Sequence, residues 1–434
     1  MQLTEDQILT LAPDESSKKS GKDLSNAAKW GTKGVNEFAL WGECQGSGSK
    51  PYRTQIALNN IAFKCSCPSR KFPCKHGIGL LLLYAKNGQS FIDHKAPDWV
   101  TEWLNKRSDK EENKTAKKDK LVDEAAQAKR LQARENIVED GINELLLWIK
   151  DIVRNGILSI PEKGAQFFGG MSKRLIDAKA PGLAGMVKNL GNINFYFEGW
   201  QSLFMDQMAR IYLVIAAYKN KEGISSLITE DVRTQIGFTQ ATEILKEQNG
   251  IVDSWLVLGK QTTEEDGLVT ERNWLYGTQT DKYALVLQFI VRGQGAGFSI
   301  TPGMTLNAEL VFYESIQPLR ALIKKEIQGG ENQLVKPFQN WEQVAEAETI
   351  LNRSLPFRSE RPFIIKNITP VQFDNSWWLA DENHNLVQLK SKYKYLYTIL
   401  SLSGGEPMNM AVLGKENRYE PLGVWNNSHY MMVS

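Results

Sequence analysis

Three of the four cysteines and one of the four histidines fall within twelve positions, as Cys65-Ser66-Cys67 followed after six residues by Cys74-Lys75-His76. Thiolate sulfur at about 2.3 Å and imidazole nitrogen at about 2.0–2.1 Å are donors that Zn²⁺ takes in a tetrahedral structural site. Cys65, Cys67, Cys74 and His76 complete that tetrahedron, so they predict one structural Zn²⁺ with no coordination position left for water. In extended segments side chains alternate, which sets Cys65 and Cys67 on one side of one strand and Cys74 and His76 on one side of another. Between them, Pro68-Ser69-Arg70-Lys71-Phe72-Pro73 is polar with a proline at each end and suits a reversing loop. The run from Gly77 to Ala85 reads as a short helix packing behind the site.

Two blander readings of the cluster are weaker. Cysteines are often buried as small hydrophobes, yet they seldom join a histidine in two paired i, i+2 spacings so close together. A disulfide framework belongs to dense, secreted cysteine sets. Cys44 reads as a reduced packing residue rather than a fifth ligand.

The pattern CxC, variable loop, CxH resembles the SWIM-type zinc finger of bacterial proteins. The segment Trp41-Gly42-Glu43-Cys44-Gln45-Gly46-Ser47-Gly48-Ser49-Lys50-Pro51-Tyr52 and then Cys65-Ser66-Cys67-Pro68-Ser69-Arg70 strengthen the likeness, which covers residues 20–90 well and the remainder loosely. It implies a zinc-stabilised module for binding DNA or protein, with no established reaction. Bacterial relatives are often encoded beside MoxR-class AAA+ ATPases and von Willebrand factor A proteins, so the resemblance also implies such a protein as partner of an adaptor.

The charge distribution asks whether the finger touches nucleic acid. The whole chain carries a formal +2, but residues 18–86 hold twelve Lys/Arg and three acids, a formal +9. Zinc on three thiolates adds about −1. Lys64, Arg70, Lys71 and Lys75 flank the ligands, with Tyr52 and Phe72 as nearby aromatics. Such a patch neutralises phosphates with an affinity that falls as salt rises. The same lysines also serve solubility and favour the thiolate form, and a protein partner fits the face as well as a nucleic acid does.

At 434 residues, 42% hydrophobic and 24% charged, the chain has material for two or three domains. Its N-terminus lacks a basic start and apolar run, and no stretch approaches about 18 apolar residues, so a soluble, cytoplasmic protein without membrane contact is expected. The fold class expected is α+β multi-domain. Residues 1–104 form a small zinc module of ββα type, 105–120 a charged linker, 121–250 a helical bundle and 251–434 a β-rich antiparallel region. The linker assignment rests on composition, because 105–120 is almost wholly charged and polar and buries too little to fold alone.

Within the helical region, apolar residues recur at three- and four-residue steps from Leu121 to Val153. Further helices are expected around 164–190, 199–220 and 224–248, with breaks at Gly169-Gly170 and Pro181-Gly182. Phe195, Tyr196, Phe197, Trp200 and Phe204 are assigned to the core. After Asn249-Gly250 the period shortens and strands follow one another as in a meander, with a helix at 338–353 and a hairpin turn at Asp381-Glu382-Asn383-His384-Asn385. No strict sequence repeat is visible.

Catalytic signatures are lacking. There is no GxxxxGK[ST], HExxH or GxSxG. Gly293-Gln294-Gly295-Ala296-Gly297 follows a strand but leads to Pro302 rather than a helix, and reads as a turn. His94, His384 and His429 have no partners at ligand spacing, and Glu264-Glu265-Asp266 reads as a solvated turn. The expectation is a non-enzymatic interaction protein with a zinc finger as recognition head. The alternative is a DNA-binding protein using the basic finger, and behind it an enzyme whose site assembles from the C-terminal regions.

Overall fold

Four antiparallel strands, β1 (Trp30–Val35), β2 (Ala39–Cys44), β3 (Tyr52–Ala57) and β4 (Ala62–Cys65), make the sheet whose last strand carries Cys65. The computed structural model describes residues 3–46, 50–58, 61–69, 71–116, 124–265, 268–291, 300–327, 335–357, 360–415, 417–426 and 429–433. Alternation splits this sheet into two apolar faces. Leu40, Ile56 and Phe63 look toward α1 (Glu5–Thr10), α2 (Glu15–Leu24) and α3 (Lys75–Lys86), while Ala39, Trp41, Ala57 and Ala62 meet Val100 and Trp103 of α4 (Asp98–Ala116). Helix α3 is buried continuously from His76 to Leu83. It is the central element of this unit.

Close approach of α2 to α3 depends on paired glycines. A Cβ on Gly79 would sit 2.6 Å from Leu24 Cβ and 3.2 Å from the Gly21 carbonyl oxygen, and one on Gly21 would sit 2.6 Å from Ile78 Cγ2. Helix α2 is itself begun by Asp14, whose carboxylate accepts the Ser17 amide at 2.7 Å, satisfying a donor that the first turn leaves open.

Residues 105–116, expected as an extended linker, continue α4 instead. Lys, Arg, Glu and Asn solvate a chain, but the straight-chain residues among them are also good helix formers, and the anchored turn at Val100 and Trp103 supplies the costly nucleus. A Glu102–Lys106 pair at 3.7 Å lies along the exposed side. Residues 117–120 of that linker, and Leu121, lie outside the described residues.

Helices α5 (Glu124–Asn155), α6 (Gly164–Asp177), α7 (Pro181–Leu190), α8 (Trp200–Lys219), α9 (Ser226–Ile236) and the short α10 (Thr242–Glu247) follow. Val138, Ile142, Leu145, Ile149 and Ile152 of α5 face a core shared with α6 to α9. Ile137 and Val153, counted in the expected stripe, are exposed. Gly169-Gly170 does not interrupt α6; the break comes at residues 178–180, before Pro181 opens α7, where its missing N–H costs nothing. Phe195, Trp200 and Phe204 pack in the core, but Tyr196 and Phe197, in the turn ahead of α8, project into solvent.

Two β units complete the chain. In the first, β5 (Ile251–Glu265), β6 (Leu268–Gly277), β7 (Tyr283–Val291), β8 (Thr305–Phe312) and β9 (Arg320–Glu326) close into a barrel of order β5-β6-β7-β9-β8. The second unit follows α11 (Trp341–Ser354). It comprises β10 (Arg361–Phe373), β11 (Ser376–Ala380), β12 (Leu386–Leu389), α12 (Leu396–Ser403), β13 (Met408–Lys415), β14 (Arg418–Asn426) and β15 (His429–Met432). The expected meander holds for three strands in each unit. Parallel pairings β7·β9 and β12·β14 then depart from a purely antiparallel arrangement. Asp381 shapes the β11–β12 hairpin, accepting the amides of Asn383 at 3.0 Å and Asn385 at 2.9 Å. Leu256, Leu258, Trp274 and Tyr276 on the outside of the first barrel pack against Ile364, Ala411, Leu413 and Leu422 of the second unit.

Opposite outcomes are expected at two helical glycines. Gly79→Ala inserts a methyl where overpacking costs about 1–3 kcal/mol, more than the roughly 1 kcal/mol of helix propensity it returns. Gly169→Ala meets nothing within 4 Å and should stabilise by about 0.4–1 kcal/mol. Urea denaturation of both variants checks the two signs.

Candidate metal centre

Strand β4 delivers the first ligand. Cys65 is its last residue and lies opposite Thr54 of β3 in register. Thr54 Oγ1 is fully buried and 3.2 Å from Cys65 Sγ. Beyond Cys65 the ladder closes with two 2.9 Å bonds, Ser66 N–H to the Arg53 carbonyl and Arg53 N–H to Ser66 Oγ. Cys67 follows in the bend, and the chain returns through a loop that ends in a cis Phe72–Pro73 peptide.

The second pair is not extended. Cys74 is the N-cap of α3, with φ −75° and ψ 164°, and His76 lies in the first helical turn. Helical side chains tilt toward the helix N-terminus, so His76 leans back over Cys74 and one turn of helix does what the expected second strand would have done. The start of α3 also turns its positive dipole end to the site, which favours thiolates. Cys74 makes no side-chain capping hydrogen bond, yet the nearby Gly77 amide favours its thiolate.

The four donor atoms lie within 4.8 Å of one another. His76 Nδ1 is 3.8 Å from Cys65 Sγ and 3.9 Å from Cys74 Sγ. Bonds of about 2.0–2.3 Å at tetrahedral angles imply donor separations of roughly 3.5–3.8 Å. Cys74 and His76 are buried and Cys65 and Cys67 half-buried. The Tyr52 ring packs 5.0 Å from the imidazole at 44°.

Without a cation these groups compete for protons. Hydrogen bonds from Cys65 and Cys74 pull the Cys67 thiol strongly down. Hydrogen bonding to Cys65 and Cys67, with burial, pushes Cys74 strongly up. Burial lowers His76, but hydrogen bonds and charge from Cys65 and Cys67 outweigh it and lift the imidazole to about 9. Three thiolates crowded this closely need a compensating charge. The donor set fits one structural Zn²⁺, and the four protein ligands leave it no open position. Cys44 is buried beside the sheet core, where burial raises its thiol, and is not in the donor cluster.

The flanking cations divide into distinct cases. Lys64 and Lys75 are exposed. Lys71 instead pairs with Asp14 at 2.7 Å; the Lys71 ammonium, together with Ser17, holds the Asp14 carboxyl down at about 2. Arg70 lies outside the described residues. Sequence reasoning missed Thr54 as a neighbour of the site, since only the β3·β4 register brings it there.

Residues 52–85 match the SWIM zinc finger, and residues 133–236 match the SWIM-associated four-helix bundle domain. The chain therefore carries a SWIM-type zinc finger with Cys65, Cys67, Cys74 and His76 as its CxC…CxH motif, followed by the bundle built from α5 to α9. No curated protein and no solved structure matches the chain.

The protein should hold one equivalent of zinc, and Cys67→Ala or His76→Ala should lose it and unfold the finger while the rest of the chain remains folded, since structural zinc contributes folding energy directly. Metal analysis with circular dichroism tests this; full zinc retention by Cys67→Ala counts against that ligand. Zinc must displace protons from His76 and Cys74, so its affinity should rise with pH through the imidazole titration near 9 and go on rising above it, because Cys74 keeps its proton longer. Calorimetry in buffers of different ionisation enthalpy measures the proton release.

Proposed function

We propose that this is a non-enzymatic, cytoplasmic interaction protein whose zinc finger recognises a macromolecular partner and whose helical and β units act as scaffold. The observation that carries the reading is a closed four-donor metal site beside exposed side chains. With four protein ligands there is no position for a reactive water, so zinc would serve to shape a surface. Lys64 and Lys75 stand at the rim of that site with no ion pair among the described residues.

An adaptor binding a protein is the first form of this reading, with a MoxR-class AAA+ ATPase or a von Willebrand factor A protein as the partner that the family resemblance suggests. DNA binding by the basic finger is the second, favoured by the same unpaired lysines. Neither form calls for a membrane, and no helix among the described residues is long and apolar enough to cross one.

Affinity purification of the tagged protein from its native cell, with and without nuclease and at low and high salt, separates the two. Recovery of an ATPase that survives high salt and nuclease supports the adaptor. Recovery of nucleic acid that is lost in salt and weakened by Lys64→Glu/Lys75→Glu supports the second reading. Measurable turnover retained after zinc removal would contradict both.

A further inference from the structure

The two β units are one topology used twice. In the first, β5·β6, β6·β7, β5·β8 and β8·β9 are antiparallel and β7·β9 is parallel. In the second, β10·β11, β11·β12, β10·β13 and β13·β14 are antiparallel and β12·β14 is parallel. Counting strands within each unit, both follow the order 1-2-3-5-4 with 4 returning to 1. In the second, helix α12 lies between strands three and four. This is the arrangement of the five-stranded OB barrel, whose outer face at strands two and three takes oligonucleotides or oligosaccharides. Fold alone does not assign a ligand, so the side chains on that face must decide.

In the second barrel the inward residues are Trp377, Leu379, Val387, Leu389 and Tyr419. Alternation therefore turns Trp378, Gln388 and Arg418 outward, and register sets these three side by side across β11, β12 and β14. Phe373, on the same outer face of β10, is 62% exposed. Trp378 Nε1 donates to the Phe373 carbonyl at 3.2 Å, which fixes the indole plane. The first barrel packs against the second through Ile364, Ala411, Leu413 and Leu422; in the outer row Arg418 is exposed and Trp378 and Gln388 are half-buried.

The segment after β12 adds charge. Lys392 and Lys394 are exposed and, like Arg418, make no ion pair among the described residues. Tyr395 and Tyr397, just beyond them, are exposed. Lys390 is committed to Glu420 at 2.5 Å. Asp374 at the β10–β11 turn is an exposed acid among the described residues on this side.

We infer that the outer face of the second barrel is a binding site for single-stranded nucleic acid, with Trp378 and Phe373 stacking bases and Arg418, Lys392 and Lys394 meeting phosphates. Aromatic surfaces with cations between them suit a single strand because unpaired bases offer their faces, whereas a duplex hides them. A sugar ligand would have no use for three unpaired cations, and an acidic peptide would have no use for the fixed indole plane.

The test is fluorescence anisotropy with labelled oligo(dT) and oligo(rU) of about twenty nucleotides, long enough to span an OB site, and a duplex of equal length, added to the full-length zinc-loaded protein at low salt. Single strands should bind at least tenfold more tightly than duplex, and binding should weaken as salt rises. Trp378→Ala and Phe373→Ala should each weaken binding about tenfold, Trp378→Phe should restore most of it, and Lys392→Glu/Lys394→Glu should flatten the salt dependence. Lys173→Glu/Lys188→Glu, on exposed positions of the helical bundle, should leave this binding unchanged. Should Trp378→Ala fail to fold by circular dichroism, Trp378→Phe and the lysine variant decide. The inference is overturned by no binding at low salt, by duplex binding as tight as single-strand binding, by equal competition from polyglutamate, by indifference to the barrel variants, or by loss in the bundle variant.

Discussion

Convergence of four soft donors on one point is the constraint from which the N-terminal unit takes its shape. Cys65 at the end of β4 and Cys74 at the start of α3 belong to elements that have few other reasons to meet at that angle. Once they meet, the loop between them is closed, α3 is pinned by its first turn, and its apolar length is laid across the sheet. Glycines on α2 and α3 then admit the remaining helix. The metal acts at one end of α3 and the helix carries the effect through the core.

The ligands could be read from the sequence because metal chemistry restricts residue type and local spacing together, and both are visible in a linear chain. The conformation of CxH was not. An i, i+2 pair serves equally as two alternate positions of a strand or as the N-cap and first turn of a helix, and the choice rests on the buried run Gly77–Leu83 that follows. Residues 105–116 failed to read correctly for a related reason. Composition reports how a segment meets water, whereas the neighbouring anchors at Val100 and Trp103 decide whether a helix propagates into it.

In the C-terminal half most strands were legible one by one, since each alternates or runs apolar. Strand β9, Arg320–Glu326, was missed because its basic residues dilute the apolar pattern, and α12, Leu396–Ser403, because a short apolar run does not distinguish helix from strand. Duplication of the barrel was invisible. What repeats is the pairing scheme, set by contacts distant in sequence, while different residues line the first strand of each unit: Trp255 and Val257 inside the first barrel, Phe363 and Ile365 inside the second.

Charge shows the same gap between counting and folding. The formal +9 of residues 18–86 suggests a strong basic field on the finger, but acids just outside that window fold back onto it: Asp14 pairs with Lys71, Glu15 with Lys18 and Glu5 with Lys86. Arg53 is likewise taken by Glu43 and lies over Trp99. At the second barrel the sequence shows no comparable excess, yet Arg418, Lys392 and Lys394 make no ion pair among the described residues, and Phe373 and Trp378 offer aromatic surface on the outer face. A partner responds to cations that the fold leaves unpaired, together with the surfaces beside them, so the distribution of ion pairs ranks these two faces differently from the distribution of residues.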